Sequence, residues 1–354
     1  MIISRTPFRI SFFGGGTDYP VWYKEHGGAV LATTIDKYCY ISCRYLPPFF
    51  DHKSRVAYSK IENVLSVEEI EHPSARETLK FMGISDGVEI HHDGDLPART
   101  GLGSSSAFTV GLLHALYALK RVMPTKMKLA KEAIHVERDL IGESVGSQDQ
   151  VSAAFGGFNK ITFSPYDEIN LQPAIVDRRR LNELQQHLML YFTGFSRFAS
   201  QIASRQIENT PKKKIELSAM HEMVDEAISI LCGDAPIEKF GELLHDSWEL
   251  KRSLTEKVST PEVDEIYQAA RSEGALGGKL LGAGGGGFML LFARPEDQWR
   301  IRARLKDLLY VPFRFETAGS QIIFYDYNTA DRDAGFDSAP RNAAGPKTLS
   351  HDNV

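Results

Sequence analysis

Two hydrophobic rhythms divide the chain. Residues 2–10, 38–44 and 88–92 alternate apolar and polar positions between Gly, Pro or Asp boundaries, which predicts strands. Residues 104–122 and 127–142 carry apolar positions every three or four residues, which predicts two long helices separated by Met123-Pro124-Thr125. A strand is expected at 158–163, and a polar, Arg-rich stretch at 177–180 leads to another at 188–192. The second half predicts helices over 214–232, 237–253 and 261–273, then a glycine-rich loop and a strand at 288–292. A helix over 295–309 and a strand at 321–325 follow. Mixed helices and strands with antiparallel signals predict an α+β architecture rather than one doubly wound sheet. The expected domains are 1–176 and 177–328. Residues 329–354, poor in apolar side chains, are expected to form a mobile tail.

A length of 354 residues suits two domains with a sizeable core. The 41 Lys+Arg against 46 Asp+Glu leave no basic field, so neither nucleic acid nor an anionic membrane is an expected partner. Apolar runs fall far short of the ~18–20 residues of a membrane span, and MIISRTPFRI lacks the pattern of a signal peptide. Cys39, Cys43 and Cys232 have neither CxxC nor zinc spacing. A reduced, cytoplasmic protein is expected, with a homodimer left open.

Three stretches carry candidate chemistry. In the first, Gly101, Leu102, Gly103, Ser104, Ser105 and Ser106 open a helix. A helix N-terminus offers unpaired N–H groups and partial positive charge, and glycines let a phosphate approach. The Walker A lysine is absent, and Ser106 stands where a dinucleotide fingerprint needs glycine. A serine N-cap on a plain turn is the structural alternative. In the next helix Glu137 lies in the same stripe as Ala130, Ala133, Ile134, Leu140 and Ile141. A carboxylate there needs a cationic partner, hydrogen bonds or a metal, so an ion pair and a Mg²⁺ ligand both fit. Asp149, in GSQDQ, reads either as a helix-start acid or as a base for a substrate hydroxyl.

The second stretch, FRISFFGGGTDY, sets Arg9 in an apolar strand, where it needs an anionic partner. Thr17 and Asp18 behind the glycines could be simple turn residues. The third, Gly282-Ala283-Gly284-Gly285-Gly286-Gly287, has more glycine than a turn requires, which points to close backbone packing against another loop or a ligand.

Together, in this order, residues 7–19, 97–107 and 279–288 resemble the three motifs of the GHMP kinase superfamily. The resemblance implies an N-terminal domain like ribosomal protein S5 domain 2 and a ferredoxin-like C-terminal domain, with ATP and acceptor between them. It implies that the 101–106 loop wraps the ATP phosphates and that Ser105 and Glu137 hold Mg²⁺. Asp149 would take or orient the acceptor proton, and Arg9 would stabilise Asp149 and the phosphoryl group in transit. Galactokinase-like members read GEHTDY where this chain has Gly14-Gly15-Gly16-Thr17-Asp18-Tyr19. Loss of the acid and histidine at Gly15 and Gly16 suits a larger or already phosphorylated acceptor. The phrases FRISFFGGGTDYP, TGFSRFAS and KLLGAGGGGF are most similar to members acting on the anomeric hydroxyl of D-glycero-D-manno-heptose 7-phosphate, toward GDP-heptose and surface polysaccharide. A small-molecule sugar phosphate is thus the implied substrate, with Gly15, Gly16, Thr17, Asp18, Arg197, Lys279, Gly285 and Gly286 around it. Arg197 and Lys279 are the candidates for its phosphate, with surface ion pairs as their structural alternative. Kinases of unphosphorylated sugars and an ATP-dependent decarboxylase remain the alternatives on this scaffold.

Overall fold

The computed structural model describes residues 1–326 apart from 48, 86, 99 and 195–198. The expected tail at 329–354 and Arg197 therefore lie outside the described residues.

The first sheet is organised by one long strand, Gly28–Tyr45. It runs antiparallel to Ile2–Phe13, while Cys39–Tyr45 pairs with Val88–Gly94 and Gly28–Thr33 pairs with Phe158–Phe163. Its first eight residues are buried on both faces, which erases the alternation that marks its second half. The helix Ser104–Leu119 packs against these strands and is buried on nearly every side. It stops before the expected Val122, as the chain turns through Arg121 at φ 60°. The next helix, Lys126–Ile134, is capped by Thr125 and passes into a π-helical turn, His135–Leu140. That wider turn carries Glu137, and such turns recur at functional sites.

The second sheet is antiparallel, in the order Leu309–Tyr310, Leu188–Gly194, Gly287–Ala293, Ala275–Leu280. Gly287–Ala293 is buried throughout, and the helix Glu238–Ser253 covers Ala275–Leu280. The helix expected over 295–309 spans only Gln298–Arg304, because Leu309–Tyr310 joins the sheet. The chain then crosses back: Phe315–Glu316 pairs with Thr34 and Ile35, and Gln321–Tyr325 pairs with Ile2–Arg5. The expected 177–328 unit is thus not contiguous in space, since its last strands complete the hydrogen bonding of the first sheet. Among the described residues no helix is long and apolar enough to cross a membrane.

Candidate active site

A cavity of about 600 Å³ opens where the two halves meet, lined by all three motif stretches. Strand Ile2–Phe13 delivers Arg9 to its floor, 5% exposed. Asp149, in the first turn of the helix Gln148–Phe155, faces it. Arg9 Nε donates to Asp149 Oδ1 at 2.7 Å and Nη2 to Oδ2 at 2.8 Å, while Nη1 donates to Gly101 O at 2.6 Å. This two-pronged pairing holds the carboxylate in one plane, and the third bond ties it to the glycine loop. The anion that Arg9 requires is therefore Asp149.

Gly101, Gly103, Ser104, Ser105 and Ser106 line the cavity, whereas Leu102 is buried and its carbonyl accepts from Arg9 N at 3.0 Å. Gly103 precedes the helix at φ 75°, and no side chain caps the helix there, so its first turn faces the cavity. Close packing of the third glycine stretch is what holds this loop. A Cβ on Gly101 would stand 2.4 Å from Leu281 O, and one on Gly282 would stand 2.4 Å from Gly101 Cα. Gly282 and Ala283 reach the cavity, but Gly285 and Gly286 are not part of its lining, and Gly285 N donates to Val258 O at 2.9 Å. Gly285 serves backbone packing here rather than the expected substrate contact, and Gly286 lies outside the lining.

Glu137 is fully buried. Its Oε1 accepts from Thr109 Oγ1 at 2.8 Å, and its Oε2 accepts from Ser106 Oγ at 2.8 Å and from the Gln150 amide. Among the described residues no Lys or Arg pairs with it, so the ion-pair alternative falls. Burial pushes its carboxyl up to about 7 against three hydrogen bonds that favour the ionised form. The expected partner, Ser105, is exposed at the cavity, and Ser106 makes the contact instead. Helical geometry turns Ser105 away while Ser106 points inward. A buried carboxylate with hydroxyl neighbours suits Mg²⁺, which takes one or two carboxylates alongside phosphate oxygens and water. Glu137 and the serines of the loop are the residues that could hold it.

The GGGTDY turn splits by role. Gly15, Gly16 and Asp18 line the cavity. Asp18 Oδ1 accepts from Gly16 N at 3.0 Å and Oδ2 from Gln148 N at 3.3 Å. Its carboxyl is pushed up by burial and by the charge of Asp149. Gly146 closes over it, since a Cβ there would lie 1.9 Å from Asp18 Oδ2. Thr17 departs from expectation: its hydroxyl donates to Gly14 O at 2.8 Å and accepts from Ala29 N at 3.1 Å, locking the turn outside the cavity lining. Lys279 lines the cavity, 3% exposed, and donates to Phe12 O at 2.7 Å. It is therefore not in a surface ion pair.

Sequence reasoning missed Lys251, Ser11 and Gln148, all in the cavity wall. Lys251 carried a signal: it follows Phe240, Leu244 and Trp248 at spacings of four, four and three along one apolar stripe of its helix. A cation in such a stripe merits the scrutiny given to Glu137.

Comparison with known proteins agrees with this geometry. The model of the GHMP kinases N terminal domain matches residues 70–157, and that of the GHMP kinases C terminal domain matches residues 234–311. D-glycero-alpha-D-manno-heptose 7-phosphate kinase of Campylobacter jejuni is 31% identical over 333 residues, covering 90% of this chain and 97% of that protein. Galactokinase of Thermotoga maritima is 26% identical over 356 residues, with 92% and 98% covered. The crystal structure of a D-glycero-D-manno-heptose 1-phosphate kinase from Bacteroides thetaiotaomicron superposes with a TM-score of 0.73 at 24% identity, covering 91% of this chain and 98% of that one. By the near-complete match to the Campylobacter protein and by both domain models, the chain belongs to the GHMP kinases.

Proposed function

We propose that this kinase transfers the γ-phosphoryl group of ATP to the anomeric hydroxyl of D-glycero-D-manno-heptose 7-phosphate, giving the 1,7-bisphosphate. The observation that carries the reading is the Arg9–Asp149 pair, held at 2.7 Å beside the 101–106 loop in a cavity of about 600 Å³. The loop would take the ATP phosphates through its backbone N–H groups. Asp149 Oδ would accept the proton of the acceptor hydroxyl as that oxygen bonds to the γ-phosphorus, while the bond to the β,γ-bridging oxygen breaks and ADP leaves. Arg9 would orient Asp149 and offset negative charge at the reacting centre, so that catalysis is mainly positioning and charge stabilisation. Mg²⁺, held by Glu137 with a loop serine, would neutralise phosphate charge when bound.

The acceptor assignment is supported by the similarity to the heptose 7-phosphate kinase and by Gly15. A Cβ at Gly15 would come no nearer than 3.8 Å to Ser11 Oγ, so the space left by the missing acid is open to substrate. ADP release measured over a panel of heptose 7-phosphate, heptose, galactose and fucose tests it. Turnover is expected with the phosphorylated heptose; turnover of galactose or fucose without it would overturn the assignment, and CO₂ release would indicate the decarboxylase alternative.

A further inference from the structure

Two buried ammonium groups share the cavity wall with Arg9, and neither has an anionic partner among the described residues. Lys251, 8% exposed, donates to Leu280 O at 2.7 Å and Gly282 O at 2.5 Å. Lys279 donates, among the described residues, to Phe12 O alone, at 2.7 Å. An ammonium carries three donors, so each lysine keeps at least one beyond these carbonyls. Arg9 adds a like charge rather than a counter-charge, and its own anion is Asp149. Next to Phe12, Ser11 Oγ is buried, lines the same cavity and has no hydrogen-bond partner among the described residues. A wall with two buried cations and an idle hydroxyl is costly unless a ligand completes it. The carboxylates that line the cavity, Asp18, Glu143 and Asp149, do not do so: Asp149 is bound to Arg9, Asp18 accepts from Gly16 N and Gln148 N, and no carboxylate charge acts appreciably on either lysine.

We propose that Lys251, Lys279 and Ser11 form a phosphoryl seat, separate from the 101–106 loop, that takes a phosphate dianion of one of the two substrates. A dianion supplies the charge that both ammonium groups lack and an acceptor oxygen for Ser11. The strain of the present arrangement is consistent with this. Burial first, and then the charges of Lys279 and Arg9, push the Lys251 ammonium well below its usual range, and burial with Arg9 brings Lys279 to about 7. Two sources carry the required chemistry, the phosphate already on the acceptor and the phosphoryl group leaving ATP. The first rests on the acceptor reading above; the second does not.

Inorganic phosphate as an inhibitor distinguishes them. The full-length protein and its Lys251→Met, Lys279→Met and Ser11→Ala variants are assayed against ATP and against the best acceptor found. Phosphate should inhibit the wild type, with its inhibition constant weakened tenfold or more by each lysine variant and about threefold by Ser11→Ala. Competition with the acceptor assigns the seat to the acceptor phosphate, and competition with ATP assigns it to the group in transit. An inhibition constant unchanged in the variants, or no inhibition up to 50-fold above the acceptor KM, overturns the seat. Lys251→Arg, which keeps charge and donors, covers a Lys251→Met variant that fails to fold: it should retain inhibition within threefold. If an unphosphorylated sugar proves to be the substrate, the acceptor reading fails, while competition with ATP would still uphold the seat.

Discussion

Two carboxylates of the site, the partly exposed Asp149 and the fully buried Glu137, are built on opposite plans. Asp149 meets a guanidinium that satisfies both its oxygens, so the pair is complete within the protein. Glu137 lies deeper and is met only by neutral donors from Thr109, Ser106 and Gln150, so its charge is left to be balanced from outside. A paired carboxylate keeps one orientation whether or not substrate is present, which suits a group that must meet a hydroxyl at a fixed place. An unbalanced one is a receptor for a cation, at the cost of a proton held near neutral pH. The two centres are coupled through the short helix Gln148–Phe155, which carries both Asp149 and Gln150.

This contrast can be broken from either side. Asp149→Asn removes the proton acceptor while keeping a hydrogen-bonding group for Arg9. A fall in kcat of about 10²–10⁴-fold is expected, with ATP affinity within threefold by equilibrium titration. Near-normal turnover would take Asp149 out of the chemistry. Arg9→Met leaves Asp149 facing the cavity without its cation. A kcat loss of about 10²–10³-fold is expected together with a stability loss of about 1.5–3 kcal/mol by urea unfolding, for charge-assisted hydrogen bonds to a partly exposed carboxylate. A stability change as small as that of a surface ion pair would contradict the idea of a complete internal pair.

Gly15→Glu restores the acid of galactokinase-like sequences in open space near Ser11 and Gln148. KM for a phosphorylated acceptor should rise about tenfold, as expected for about 1.4 kcal/mol of charge repulsion. An unchanged KM would place the acceptor elsewhere in the cavity. The smallest effect belongs to Thr17→Val, which removes the hydroxyl that ties Gly14 to Ala29. A stability loss of about 1–2 kcal/mol with kcat within twofold is expected; a selective loss of acceptor binding would return Thr17 to the substrate site.

Much of this was legible before any coordinates. Strands with one solvated face, such as the second half of Gly28–Tyr45, announce themselves by alternation, and the apolar stripe around Glu137 marked it as buried. The first half of the same strand stayed hidden, because burial on both faces leaves no period to read. The return of Gln321–Tyr325 to the first sheet is a long-range pairing that no local pattern encodes. In the site, residue types gave the cast, but not the pairings. Sequence spacing could not say that Ser106 rather than Ser105 faces Glu137, since that depends on the phase of a helix begun by Gly103 in a left-handed conformation. Nor could it show that Gly284 and Gly285 pack against Val258 while Gly282 closes on Gly101.

Glu137 offers the most direct test of the contrast. Its carboxyl, raised from 4.5 to about 7, lets the folded chain hold a proton that the unfolded chain has lost, so its contribution to stability falls as pH rises from about 4.5 to 7. Mg²⁺ balancing this group must displace that proton. Proton release on adding Mg²⁺ to the ATP-saturated protein at pH 6.5, read from the buffer dependence of the calorimetric heat, measures it. Wild type should release a substantial fraction of one proton more than Glu137→Gln, and should lose more stability than Glu137→Gln between pH 5 and 7 without divalent ions. Equal proton release from the two proteins would contradict the account.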